Sequence, residues 1–325
     1  MEKKTPLVSI IVPVLNEEKY ILGCLSSIQK QTYPHELVEV IIVDGCSTDQ
    51  TVNLCRKFES DFNLCIYENV KQKTTYALNI GIEKAKGVYI LRLDAHAEYP
   101  EDYIEKCIYY LDTMNVDNVG GIVVTKGKNK MGQAIACMLS SKFGVGDSTF
   151  RTNGKSGYVD TVPFGAFRKE VFSKIGLFNN NLPRSEDNDI NARIRANNGK
   201  VWLANDIKST YYCRDTVKDI LKMALQNGNA LFRTLKENPK AMSFRHFIPF
   251  LFTISLIILP LISIFILFFK ILFVLELGLY FLLDLIFSLE KNSIKYSYIL
   301  IWLYPAFHIA YGIGSFLGLI NIDLY

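Results

Sequence analysis

No CxxC pair occurs in this 325-residue chain. Its seven cysteines (Cys24, Cys46, Cys55, Cys65, Cys107, Cys137 and Cys213) are odd in number and scattered among mostly apolar neighbours. That argues against a structural zinc site and points to reduced thiols in a cytosolic setting. A glycine-rich phosphate loop near the N-terminus is also missing, which disfavours a soluble nucleotidyltransferase. There is no dense basic stripe, so nucleic acid is not expected as a partner. Charge is scarce at the far end. Beyond His246 there are only Lys270, Lys291 and Lys295, with Glu276, Asp284, Glu290 and Asp323. The part before it holds 33 basic and 28 acidic residues. An excess that mild suits a domain resting on an anionic bilayer.

The start, MEKKTPLVSIIVPV, is basic, but its apolar run is short and leads into NEE, so it reads as a first strand rather than a signal peptide. From there strand-like and helix-like segments alternate. LVSIIVPV, VEVIIVD, FNLCIYEN, GVYILRLD and VGGIVVTKG are rich in β-branched and aromatic residues. Helical patterns lie between the first four and lead up to the last, one closed by Gly87 and one opened by a Ser47–Gln50 capping box. Such alternation implies an α/β fold with a mostly parallel sheet covered on both faces. Residues 216–238 combine apolar and basic residues at helical spacing and read as an interfacial helix. Three apolar stretches follow: Phe247–Phe269, which contains no charge, then Ile271–Phe287, interrupted by two acids, and Tyr296–Ile320. Lys240 and Arg245 precede the first, and Lys291 and Lys295 lie between the second and third. The positive-inside rule then places the N-terminal part inside, three spans, and the C-terminus outside. If Ile271–Phe287 is re-entrant, the C-terminus is instead cytoplasmic.

Three acidic landmarks carry the chemistry. Asp44, in VDGCSTDQT, ends a strand, where ligands bind in open α/β sheets; ordinary Asp-Gly turn chemistry accounts for it equally well. PVLNEE places Pro13, Asn16 and Glu17 at the end of the neighbouring strand. Asp94, in RLDAHAEYP, is followed two residues later by His96. A carboxylate there can hold a divalent ion against a diphosphate. His96 reads either as a second ligand, better suited to manganese than magnesium, or as a neutral hydrogen-bonding loop residue. SEDND puts three acids, Glu186, Asp187 and Asp189, in a first helical turn. Dipole complementation explains one of them; a general base, weakened by the helix N-terminus, is the functional reading. Arg184, Arg193 and Arg195 are phosphate contacts or a solvated face.

In this order the segments resemble inverting glycosyltransferases of family 2 with the GT-A fold. SIIVPVLNEE is similar to that family's opening strand, VDGCSTDQT to its nucleotide-binding turn, LRLDAHAEYP to its DXD region and SEDND to its ED region. RLDAHAEYP, FGVGDSTFR, YVDTVPFGAFRKEVF and YPAFHIAYGIGSFLGLI resemble the bacterial succinoglycan-type exopolysaccharide branch. The second carboxylate of the DXD is missing, and so is the QxxRW element of processive synthases; QNGNALFR, with Gln226 and Arg233, stands near its place. The resemblance implies a catalytic domain over residues 1–215, an amphipathic segment over 216–246 and a membrane domain over 247–325. It implies a UDP-hexose donor, a divalent cation (Mg or Mn) and a lipid-linked saccharide acceptor at the cytoplasmic face, with other polysaccharide-assembly proteins as partners. Pro13, Asn16, Glu17, Asp44 and Asp94 would bind the nucleotide sugar, Asp94 and His96 the metal. Asp187 would be the base, with Glu186 the fallback. A polyprenyl-phosphate glycosyltransferase and a non-catalytic nucleotide-sugar-binding scaffold are the alternatives.

Overall fold

The computed structural model describes residues 6–152 and 154–325; the basic start over residues 1–5, where a signal peptide is not expected, lies outside them. The chain forms two compact units. The first takes in residues of Met1–Val124 and Asn153–Tyr211. Its elements begin β1 Val8–Val14, α1 Ile21–Gln29, β2 Val38–Asp44, α2 Thr51–Lys57, β3 Asn63–Glu68, α3 Thr74–Lys84, β4 Tyr89–Arg92, β5 Ala97–Glu98, α4 Tyr103–Thr113 and β6 Asn118–Lys126. After α5 Lys130–Leu139 and α6 Lys142–Val145, which belong to the second unit, come β7 Gly157–Tyr158, β8 Ala166–Arg168, α7 Glu170–Ile175, α8 Glu186–Ala196 and β9 Val201–Tyr212.

The sheet runs β3-β2-β1-β4-β8-β6-β9-β5, with β7 beside β9. Strands β3, β2, β1 and β4 run parallel to one another, as βαβ alternation demands. The far half is antiparallel where β8 meets β4 and β6, and where β9 meets β5 and β7. Strand β9, twelve residues of mixed polarity, is an element whose alternation is too imperfect to stand out from the sequence. Every residue of β2 is buried, as is all of β1 except half-buried Pro13. That is why these strands read as continuous apolar runs. Register pairs Val14 with Asp44 and Pro13 with Val43, so β1 and β2 end level with each other.

Two local signals resolve differently. Helix α2 starts at Thr51 with no side-chain cap from Gln50; Asp49 instead accepts from the Thr51 amide at 2.9 Å, and Ser47 is recruited elsewhere. Gly87 is not a left-handed cap. A Cβ there would lie 2.6 Å from the Ser9 amide nitrogen, so glycine serves close approach to β1.

The second unit holds α5, α6 and everything from Tyr212 onward: α9 Val217–Glu237, α10 Ile248–Ser263, α11 Leu267–Ser288 and α12 Ser297–Leu319. By length and composition, three helical stretches could cross a membrane: Phe244–Ser263, Leu267–Ser288 and Ile294–Leu319. The first apolar stretch therefore stops short of Phe269, because Ile266 turns extended before α11. In exchange α11 grows to 22 residues and takes in Lys270. Helices α9 and α12 approach at glycine. A Cβ on Gly314 would sit 2.0 Å from the Leu225 carbonyl oxygen, whereas one on Gly278 meets nothing within 4 Å. Gly314→Leu is expected to cost at least about 1–3 kcal/mol through overpacking. Gly278→Leu should leave thermal unfolding in detergent unchanged. Equal melting curves for the two variants would contradict this packing.

Candidate active site

The carboxyl ends of β1 and β2 are laced together by their loops. Asn16, held at a left-handed φ of 56°, accepts from the Thr48 amide at 2.9 Å through its side chain. Its own amide donates to Ser47 Oγ at 2.9 Å, and the Glu17 amide donates to Thr51 Oγ1 at 2.7 Å. Asp44 is buried and accepts from the Ser47 amide at 3.1 Å. Pro13, Asn16, Glu17 and Asp44 therefore gather at the carboxyl edge of the sheet although two different strands and the loops after them carry them.

Beyond β4, Asp94 and His96 enter the same neighbourhood. His96 Nδ1 is 3.0 Å from Glu17 Oε1, and its ring lies edge-on to Tyr20 and Tyr211. The Asp94 amide donates to the Tyr99 hydroxyl at 2.8 Å. Asp94 Oδ1 lies 3.1 Å from Arg92 Nη2. Arg92 organises the rest: Nη2 is 3.0 Å from Glu186 Oε1, and Nη1 is 2.7 Å from Asp187 Oδ2. The Arg92 side chain is 7% exposed, against 22% for Asp94 and 26% for Asp187. The guanidinium is thus sunk beneath three carboxylates whose edges reach solvent. Its planar fork is what lets one cation bridge several acids. Burial works against its charge, but Asp187, Asp94 and Glu186 outweigh that and hold it protonated.

The three acids of the SEDND turn part ways. Ser185 precedes α8 at a left-handed φ of 66°, a strained conformation of the kind found at functional sites. Glu186 and Asp187 face Arg92, while buried Asp189 pairs with Arg193 at 3.0 Å. Arg193 also donates to the carbonyls of Ile175, Gly176 and Leu177, so it clamps α8 to the preceding loop rather than reaching toward phosphate. Arg195 is exposed. Asp187 is pushed up to about 7, first by burial, opposed by Arg92, and reinforced by Glu186 and Asp94. The helix N-terminus alone would have weakened it; burial brings it to the range where a general base works best at neutral pH.

Arg92 is the residue the site motifs did not single out. A lone charge inside the apolar run YILRLD was the available signal, since a buried arginine needs acidic partners.

Among the described residues no group of three or more His, Cys, Asp or Glu side chains is arranged as a metal cage. The donor chemistry nevertheless fits a hard or borderline ion that arrives with a phosphate ligand. Asp94 offers an oxygen, and three carboxylates around one guanidinium leave positive charge wanting. Glu17 binds His96 at Nδ1, the carboxylate contact that orients a metal-binding imidazole. Remaining positions would fall to diphosphate oxygens and water, as is usual for magnesium and its relatives.

Comparison with known proteins converges. The profile of glycosyl transferase family 2 matches residues 9–176. A dolichyl N-acetyl-α-D-glucosaminyl phosphate 3-β-D-2,3-diacetamido-2,3-dideoxy-β-D-glucuronosyltransferase from Methanococcus voltae is 31% identical over 232 residues, 69% of this chain and 72% of that protein. The succinoglycan biosynthesis protein ExoA of Rhizobium meliloti is 27% identical over 208 residues, 63% of each chain. Among solved structures, mannosyltransferase PcManGT from Pyrobaculum calidifontis, in complex with GDP-Man and Mn2+, superposes with a TM-score of 0.66 at 19% identity, covering 99% of this chain and 89% of that one. Staphylococcus aureus TarS in complex with UDP gives a TM-score of 0.53 at 20% identity over 96% of this chain and 90% of that one. These neighbours share the GT-A fold.

Proposed function

The chain belongs to glycosyl transferase family 2, and on that premise we propose that it is a membrane-anchored, inverting glycosyltransferase moving a hexose from UDP to a lipid-linked saccharide in extracellular polysaccharide synthesis. The observation that carries this reading is the Arg92 cluster, which presents Asp187 beside Asp94 at a strand end. Asp44, Asn16 and Glu17 hold the nucleoside, with Pro13 shaping the strand end beneath them. Asp187 removes the proton from the acceptor hydroxyl. The acceptor oxygen then attacks the anomeric carbon from the face opposite UDP, and the C–O bond to the diphosphate breaks with its electrons on the leaving oxygen. One in-line displacement inverts the configuration. Asp94 and His96 would hold a divalent cation, which when bound would neutralise charge on the departing diphosphate.

The acceptor class draws support from the Methanococcus voltae relative, whose name places a dolichyl-linked sugar phosphate in its reaction, and from the succinoglycan protein. The apolar helices support a multi-pass membrane protein, and we place its catalytic unit on the cytoplasmic face, where other polysaccharide-assembly proteins would meet it. The direct test is a donor screen: labelled nucleotide sugars incubated with membranes and lipid extract, scored for label in the lipid fraction. Transfer from a UDP-hexose to a saccharide-bearing lipid is expected. Label that reaches only bare polyprenyl phosphate would replace this reading with the lipid-phosphate enzyme.

Activity is expected to require Mg2+ or Mn2+. Asp94→Ala should abolish metal-stimulated donor binding, measured by calorimetry with and without the ion. Full turnover in excess EDTA would remove the cation from the mechanism.

A further inference from the structure

Helix α12 is apolar enough to span, but its surroundings are not those of a spanning helix. Both of its ends are tied to elements that cannot themselves cross a membrane. At the N-terminal end, the Tyr296 hydroxyl donates to Gln133 of α5, and Lys130 stacks 5.1 Å over the Tyr298 ring. The turn before it is held by Cys137 Sγ on the Asn292 carbonyl. Helix α5 has only ten residues. At the other end Gly314 and Gly318 lie against the Leu225 and Asn229 carbonyls of α9. The tail then folds onto the same helix: Asn229 Nδ2 donates to the Ile322 carbonyl at 2.9 Å, Arg233 pairs with Asp323 at 3.1 Å, and the Tyr325 hydroxyl donates to the Gln226 carbonyl. Helix α9 carries Lys218, Asp219, Lys222, Arg233, Lys236 and Glu237. Each charge at a bilayer centre costs about 2.5–3.5 kcal/mol even by insertion scales. A helix packed along α9 therefore stays where α9 stays, and it touches the α10–α11 hairpin where Gly312 meets Thr253 of α10 and His308 meets the Tyr280 hydroxyl of α11.

Exposure points the same way. Around the α10–α11 turn, apolar side chains are bare on all sides: Ile264 is 73% exposed, Phe265 86% and Leu267 70%. On α12, by contrast, Leu300, Leu303 and Tyr304 are fully buried. Its exposed apolar residues Tyr298, Ile301, Trp302, Ile313, Phe316 and Leu319 fall on one side of the helix at helical spacing. A single apolar stripe with Tyr298 and Trp302 toward its N-terminal end suits the headgroup–acyl boundary.

We propose that the chain enters the bilayer only as the α10–α11 hairpin, and that α12 lies in the membrane interface, stripe toward lipid, with the C-terminus on the same side as the residues preceding α10. The charge pattern agrees. Lys236, Lys240 and Arg245 before the hairpin and Lys291 and Lys295 after it share a side. Lys270 alone sits near the tip. This departs from the three-span expectation read from hydropathy, and it rests on the membrane reading of the hairpin.

Two fusions separate the claims. Alkaline phosphatase, active only outside the cytoplasm, should be active when fused after Phe265 and silent after Tyr325, where green fluorescent protein should fluoresce. Active phosphatase after Tyr325 overturns the placement of α12. Silence after Phe265 overturns the hairpin itself, and with it the membrane reading. A fusion can disturb the tail, so a depth measurement on the unfused chain stands beside it. With Trp202→Phe and Trp302→Phe removing the native indoles, Ile309→Trp reports from mid-α12. Lipids brominated at carbons 6 and 7 should quench it more than lipids brominated at 11 and 12. The reverse order means that α12 spans.

Discussion

Asp187→Asn should turn over about 10²–10⁴-fold more slowly than the parent while binding donor equally well, since it removes a base and leaves the shape. The structure adds two signatures. Wild-type kcat/KM should rise with pH along a limb near 7, because the base acts only when ionised and burial sets Asp187 at about 7. That limb should vanish in the variant. The second signature concerns stability. A carboxyl raised from its unfolded value favours the folded state only while protonated, so its contribution is full below about 3.8 and is lost as pH rises through about 7. Asparagine never incurs that loss. At pH 8 the inactive variant should therefore melt no lower than wild type. A variant of wild-type turnover in a clean preparation would falsify the assignment and move attention to Glu186. It would also favour the scaffold or the lipid-phosphate enzyme, neither of which needs a base.

Replacing Arg92 should do the most structural harm. Arg92→Ala leaves Asp94, Glu186 and Asp187 facing one another with no cation among them. Removing one partner of a buried ionic cluster costs about 3–5 kcal/mol, which corresponds to a Tm lower by roughly 6–20 °C for a unit of this size. Arg92→Lys should recover only part, because a single ammonium cannot bridge three carboxylates in two directions. The loss should shrink in acid. Arg92 is now the group that holds Asp187 down. Without it Asp187 titrates higher still, and protonating it relieves its repulsion with the neighbouring carboxylates. Melting curves at pH 5 and pH 8 test this; an equal deficit at both would mean that lost packing, not charge, is responsible.

Local patterning settles much of this molecule. The apolar runs of β1 and β2 are continuous because both faces are covered, and continuous runs show in any sequence. Asp44 and Glu186–Asp187 stand where a strand ends and a helix begins, so their positions follow from the same periodicity. The hydrophobicity of α10 and α11 declares itself residue by residue. Other features depended on chain segments far apart in sequence. Arg92 acquires its role only when β4 is set beside the start of α8, some ninety residues later. The base strength of Asp187 is set by burial, which no local rule supplies; the local rule, the helix dipole, has the opposite sign. Ser47 has the spacing of a helix cap but is a partner of Asn16, because a loop from another strand lies against it. Above all, α12 is indistinguishable from a spanning helix by composition. Its packing, on α9 through Gly314 and Gly318 and on α10 through Gly312, says what it lies against, because hydropathy measures what a side chain avoids and not which surface covers it.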